Sequence, residues 1–241
     1  MNACPEDPEA FTEQTRTVCR LYRYTPILHA LGVHVVCTDE MTDIQALERL
    51  FPTLPMKPGL VERREFEYIC HGTQSLIANF EVATGHVIAS TIGPTRTKAD
   101  FAAHLEQMLD RDPEGEWIIV TDQLNTHKSE AVVRVVVKYC GLDEEALGEK
   151  GKSGVLASME SRAAFLTDVS HRIWFVYTPK HCSWINQVEI WFSILVRRLL
   201  LRGNFTSVDD LKQQILNFIE YFNKTMAKPF KWTYAGKVLL V

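Results

Sequence analysis

Apolar residues come along this chain in two kinds of run. Short β-branched runs end at an acid: Val33–Thr38 (VHVVCT) leads into Asp39-Glu40, and Trp117–Thr121 (WIIVT) leads into Asp122. Arg172–Tyr177 (RIWFVY) is a third, stopped by Pro179. Runs of this length and composition predict buried strands. Between the first two, strand signals near Glu65–His71 and Ser75–Val82, the turn Ala83-Thr84-Gly85 and a strand near His86–Thr91 read as an antiparallel meander.

Helical periodicity fills the rest. Residues 9–24 form an amphipathic segment closed at Thr25-Pro26, since proline disfavours helix in the residue before it. Residues 97–110 put Phe101, Leu105, Met108 and Leu109 on one stripe behind Thr97 as N-cap. Residues 129–140 are rich in valine, which only burial against a sheet favours in a helix. Two long helices, 184–202 and 207–225, close the chain, the second capped at Ser207 with Asp209 and Asp210 in its first turn. Residues 51–60 hold three prolines and a glycine and read as an extended loop. The Gly-, Glu-, Lys- and Ser-rich stretch 141–170 reads as an insertion or mobile loop, with a helical turn at SRAAFL. The sum is a mixed α/β plan. Ligands of open α/β sheets gather at the carboxyl ends of parallel strands, so Asp39 and Asp122 meet if their strands are neighbours.

Composition narrows the class. No apolar stretch approaches the roughly 20 residues that cross a membrane, and the polar, acidic start is no signal peptide. Six scattered cysteines (Cys4, Cys19, Cys37, Cys70, Cys140, Cys182) without a CxxC argue against a zinc site or a disulfide framework, and a cytoplasmic location is expected. The net charge of −4 excludes a wholly basic nucleic-acid binder. Its distribution is uneven: residues 1–121 carry 10 Lys+Arg against 18 Asp+Glu, and residues 180–241 carry 9 against 4. A polyanion would therefore meet the C-terminal third, where Lys180, Arg197, Arg198 and Arg202 are candidate contacts. A solvated helical face explains the same charges.

Three acids stand in costly surroundings. Alternation places Asp39 on the face of Val33, Val35 and Cys37, with Glu40 and Asp43 near enough to compete for its role. Asp122 is followed by Asn125 and His127, polar groups suited to contact a phosphate or orient a metal ligand. Glu189 shares a helical face with Ile185, Phe192, Ser193 and Val196. Singly, each has an ordinary reading as a turn acid, a helix cap or a buried ion pair. Together they suit divalent cations: carboxylates are the hard donors Mg²⁺ prefers, and a pair of ions can assist both ends of an in-line phosphoryl transfer. His181-Cys182 and the GKSG at 151–154 lack supporting motifs. The aromatics Trp174, Phe175, Trp184, Trp191 and Phe192 read as packing residues, although Trp184 could instead stack on a base.

Asp39-Glu40, then Asp122 with Asn125-Thr126-His127, then Tyr177-Thr178-Pro179 through Asn186-Gln187-Val188-Glu189 resemble the DDE transposases of mariner-like bacterial insertion sequences. The likeness begins near residue 33 and extends into Trp191–Leu195 and Tyr221–Thr225. It implies an RNase H-like fold with a mixed five-stranded sheet flanked by helices. It also implies two Mg²⁺ or Mn²⁺ ions on Asp39, Asp122 and Glu189, with Glu40, Asn125, His127 and Asn186 in support. The implied activity is DNA cleavage and strand transfer at transposon ends. The partners would be double-stranded DNA and a second copy in a homodimer, because two ends are processed together.

Three departures accompany the resemblance. Gln123 stands where relatives commonly have asparagine, and Asp122 and Glu189 are 67 positions apart, a long spacing that the 141–170 insertion accounts for. Relatives usually carry N-terminal helix-turn-helix domains, and only about 30 residues precede the first strand here. The expected organisation is a helical arm or linker remnant over 1–30 and a catalytic domain over 31–241, whose activity in isolation would suffer from missing recognition domains. A non-catalytic remnant that binds DNA or dimerises, and a stand-alone RNase H-like nuclease, are the competing readings.

Overall fold

The computed structural model describes residues 7–63, 65–234 and 236, so Cys4 lies outside the described residues. Strands β1 (Val33–Arg49), β2 (Tyr68–Glu81), β3 (Val87–Gly93), β4 (Glu116–Thr121) and β5 (Ile173–Tyr177) form one sheet in the order β3-β2-β1-β4-β5. β1, β2 and β3 pair antiparallel, whereas β4 runs parallel to both β1 and β5. The helices are α1 (Pro8–Ala30), α2 (Lys98–Leu109), α3 (Glu130–Cys140), α4 (Met159–Leu166), α5 (Gln187–Leu195) and α6 (Val208–Thr225).

The central strands are covered on both sides, which is why their sequences run apolar without alternating. Val35, Cys37, Ile118 and Val120 face a core shared with Val18 and Tyr22 of α1, Trp191 of α5 and Ile215 of α6. Val36, Trp117 and Ile119 face the opposite core, built with Phe101 and Leu105 of α2 and Val132 and Val136 of α3. Thr97 closes a capping box with Asp100 at the start of α2, and Ser129 caps α3.

Local signals misplace several boundaries. α1 does not stop at Thr25-Pro26 but runs through Pro26 to Ala30. Proline removes one helical donor there. Burial of Val18, Tyr22 and Thr25 holds the helix to the sheet, and Thr25 Oγ1 donates to Leu21 O at 3.0 Å. The N-terminal segment thus supplies part of the domain's own core.

β1 likewise does not end at Asp39. Its parallel ladder with β4 ends at Cys37 opposite Val120, but its antiparallel ladder with β2 continues to Arg49 opposite Tyr68 across an irregularity between Met41 and Ile44. Asp43 sits in that irregularity at φ 56°. The two signals at 65–82 belong to the single strand β2, which β3 accompanies only from Ser75 onward. Before that point, where Ile44–Arg49 pair with Tyr68–Gln74, β1 and β2 form a two-stranded arm.

The segment 141–170 is not simply a loop: it contains α4 and buries Leu147, Leu156 and Leu166 in the second core. The expected helix 184–202 divides into a 3₁₀ turn (Ser183–Ile185), α5, and a π-helical turn (Val196–Leu200). Gly85 turns the chain into β3 at φ 74°, with Lys228 O of the C-terminal tail only 2.1 Å from where a Cβ would stand. All five described cysteines are free, and no described helix is long and apolar enough to cross a membrane.

Candidate active site

Asp39, two residues past the end of the β1–β4 ladder, Asp122, the residue after β4, and Glu189, in the first turn of α5, lie within electrostatic reach of one another. They gather at the carboxyl edge of the parallel strands, the edge at which open α/β sheets bind ligands. Asp39 is 6% exposed, while the side chain of Asp122 is 34% exposed, so the cluster is walled on one side and open on the other.

Each acid is anchored differently. Asp39 Oδ1 accepts from Glu40 N at 2.9 Å, and its Oδ2 accepts from Asn186 Nδ2 at 3.2 Å. The same Asn186 amide donates to Thr38 O at 3.0 Å, and Asn186 O accepts from Glu189 N at 3.1 Å. Asn186 occupies the N-cap position of α5 yet makes no side-chain cap bond, because its side chain is spent on Asp39 and Thr38. This one residue ties the first acid to the helix of the third.

Asp122 Oδ1 accepts from Leu124 N at 2.9 Å and lies 2.7 Å from His127 Nδ1. The other ring nitrogen, Nε2, is 3.0 Å from Glu40 Oε2. His127 is fully buried and packs against Phe101, so it orients Asp122 and is out of reach of a phosphate. Glu40 projects from the face of β1 opposite Asp39 and is committed to His127, while Asp43 is exposed in the irregular turn of β1. Asn125 is exposed and takes no part in these bonds.

The electrostatics follow from this wiring. Burial and then the charges of Asp122 and Glu189 push Asp39 up to about 7. Burial and Asp122 also raise Glu189. Asp122 goes the other way: burial would raise it, but the hydrogen bonds from His127 and Leu124, with the charge of His127, hold it below the usual carboxylate range. Burial alone would lower His127, yet its bonds to Asp122 and Glu40 lift it to about 10, so the ring is an imidazolium at neutral pH.

The donor set is all oxygen and mutually repelling, which suits a hard divalent cation. Among the described residues no three His, Cys, Asp or Glu side chains already enclose a metal-sized gap. The fit therefore lies in donor chemistry and charge. Lys180, Arg197, Arg198 and Arg202 are all exposed, and the three arginines line one cleft with Ile194 and Met226.

Two residues that sequence reasoning passed over border the site. Arg162 of α4 donates through Nε to Lys128 O at 2.8 Å and through Nη1 to Leu156 O at 3.3 Å, holding the loop after Asp122 from below. Lys128 lies over the Tyr177 ring, 4.6 Å from its centroid. Neither carries a local signal, since Arg162 is 34 positions from its carbonyl partner.

A mixed five-stranded sheet with helices on both faces is the RNase H-like fold, as in the catalytic domain of Mos1 mariner transposase. The chain belongs to the family described as DDE superfamily endonuclease, which matches residues 34–212 and so takes in all three acids. Over 90% of this chain and 85% of the other, the structure is similar to the catalytic domain of Mos1 mariner transposase at 12% identity and a TM-score of 0.50. The Mos1 catalytic domain with raltegravir and Mg gives the same coverage and score at 13% identity. The Mos1 mariner paired-end complex with Mn gives 15% identity and a TM-score of 0.53, with this chain covering 56% of the transposase chain. Among curated proteins no sequence matches.

Proposed function

We propose that this chain is a transposase catalytic domain that cleaves DNA strands and transfers them at transposon ends with the help of two Mg²⁺ or Mn²⁺ ions. The observation that carries the reading is the convergence of Asp39, Asp122 and Glu189, each on a different element and each acting on the charge of another. When bound, the ions would supply Lewis-acid assistance to the attacking and leaving oxygens of an in-line displacement.

The protein's own contributions are positional. Asn186 fixes Asp39 against α5, the His127 imidazolium fixes one oxygen of Asp122, and Glu189 stands on the first turn of its helix. The half-exposed side of the cluster would admit the scissile strand. Lys180, Arg197, Arg198 and Arg202 would contact phosphates, with an affinity that falls as salt rises.

A homodimer is part of the proposal. The link between β1 and β2 and the arm beside it expose Phe51, Leu54, Met56, Val61, Phe66 and Ile69. An apolar surface of this extent marks an interface. Light scattering of the wild type and a Met56→Glu/Phe66→Glu variant tests it, with a monomeric wild type as the adverse result.

Plasmid nicking in Mg²⁺ or Mn²⁺ is the main test. The wild type should nick, and Asp122→Ala and Glu189→Ala should lose the activity while still binding duplex. Absence of metal-dependent nicking would sink the proposal, and preferential cleavage of RNA–DNA hybrid would point to a nuclease outside transposition.

A further inference from the structure

Lys128 is a half-buried ammonium next to the acid cluster that is held in place without being neutralised. Its Nζ lies over the ring of Tyr177, whose own hydroxyl donates to His127 O at 3.3 Å. Its Nζ donates to Gln123 Oε1 at 3.2 Å, and Gln123 Nε2 donates onward to Thr178 O at 3.0 Å. Its backbone carbonyl is the one held by Arg162. Three elements thus converge on a single lysine: the loop after β4, the end of β5, and α4 of the insertion.

Such fixing has a cost. A fixed lysine side chain gives up rotamer entropy, and a half-buried ammonium gives up hydration. Among the described residues, the hydrogen-bond partner of Nζ is a neutral amide rather than a carboxylate. Asp122 and Glu160 exert some attraction from a distance, while Lys180 is near enough to repel. Two ammonium groups brought to one edge of a carboxylate cluster, one of them locked by an amide and an aromatic ring, describe a seat for an anion.

We propose that Lys128 is a substrate-positioning residue, whose ammonium takes a non-bridging phosphate oxygen of the DNA strand lying over Asp122, with Lys180 on the neighbouring phosphate. The inference rests on the DNA-cleavage reading above and specifies the phosphate register of that site. Gln123 gains a purpose from it: one methylene longer than asparagine, it spans from Thr178 O to Nζ and holds the ammonium in place. Pre-ordering the cation before the strand arrives lowers the entropy lost on binding.

The test compares wild type, Lys128→Gln and Lys128→Arg in three assays: duplex binding against salt without divalent metal, Mn²⁺ titration by calorimetry, and Mn²⁺-dependent plasmid nicking. Losing one charge-assisted phosphate bond should raise the KM for DNA about ten-fold. It should lower the salt slope of duplex binding by about 0.9. Mn²⁺ affinity should stay at the wild-type value, and Lys128→Arg should recover most of the slope. An unchanged slope and KM in Lys128→Gln overturn the inference, as does a parallel loss of Mn²⁺ affinity, which would make Lys128 a support for the loop alone. If the wild type binds duplex but does not nick, the function reading fails while the salt slope still decides the role of Lys128. A wild type without salt-dependent duplex binding overturns it as well.

Discussion

His127 Nε2 stands 3.0 Å from Glu40 Oε2, with the imidazole fully buried and the carboxylate side chain 2% exposed. The pair joins a strand to a turn of the site: Glu40 comes from β1, and His127 from the turn after β4 that follows Asp122. A charged ring here is stable only because carboxylates flank both nitrogens. Removing either partner leaves a buried charge uncompensated. Glu40→Ala should therefore cost about 3 kcal/mol in urea unfolding. The Glu40→Gln/His127→Gln double variant should lose less than the sum of the singles. Additive losses would show that the pair is not coupled.

Asn186 connects Asp39 to α5 through a single amide. Asn186→Leu keeps a similar size but offers no donor. Mn²⁺ affinity should drop by about 10- to 100-fold, the usual effect of losing a partner that orients a ligand. Calorimetric titration measures it, and an affinity equal to wild type would remove Asn186 from the proposed site.

Arg162 bridges α4 to the carbonyls of Lys128 and Leu156. Arg162→Ala should destabilise the protein by about 1–3 kcal/mol, since two carbonyls lose a charged donor. Amide hydrogen exchange should quicken over residues 124–129 more than in β1, because that turn is what the guanidinium holds. Uniform acceleration would mean that α4 supports the whole domain rather than this loop.

His34 offers a pH test remote from the acids. It stacks on Trp117, with Nδ1 2.7 Å from Glu81 Oε1 and Nε2 3.3 Å from Asp112 Oδ2. The bond to Glu81 raises its pKa, against the opposing pull of burial, and Glu81 is held below its usual range by His34 and Thr84 despite its own burial. A raised histidine stabilises the fold fully below its unfolded value of about 6.5 and loses that contribution as pH climbs through the folded value. The melting temperature should fall as pH rises from about 6.5, by an amount equivalent to ~1 kcal/mol. His34→Gln should flatten that window, and an unchanged pH profile in the variant would refute the assignment.

Much of this organisation is legible in the residues themselves. Strands β4 and β5, helices α2, α3 and α6, and the caps Thr97 and Ser207 all follow from period, branching and polar punctuation, because each depends on neighbours a few positions away. The three acids are also conspicuous, since a carboxylate that closes an apolar run, as Asp39 and Asp122 do, or interrupts an apolar helix, as Glu189 does, is costly to bury. Boundaries governed by remote packing are another matter. α1 outlasts Pro26 because its buried face reaches the sheet, and β1 outlasts Asp39 because β2 continues to pair with it after β4 has stopped.

What tertiary structure alone decides is which polar groups meet. Nothing local tells Glu40 from Asp39 as the partner of His127; the pleat sends one to each face, and only the β1–β4 adjacency brings the histidine to the former. Nor does the stretch 141–170 announce that its helix delivers Arg162 under Lys128. Sequence by itself determined the elements and the candidate acids, since propensity and desolvation cost act residue by residue. The fold decided their pairing, because hydrogen bonds and charge repulsion depend on distances that only the assembled sheet sets.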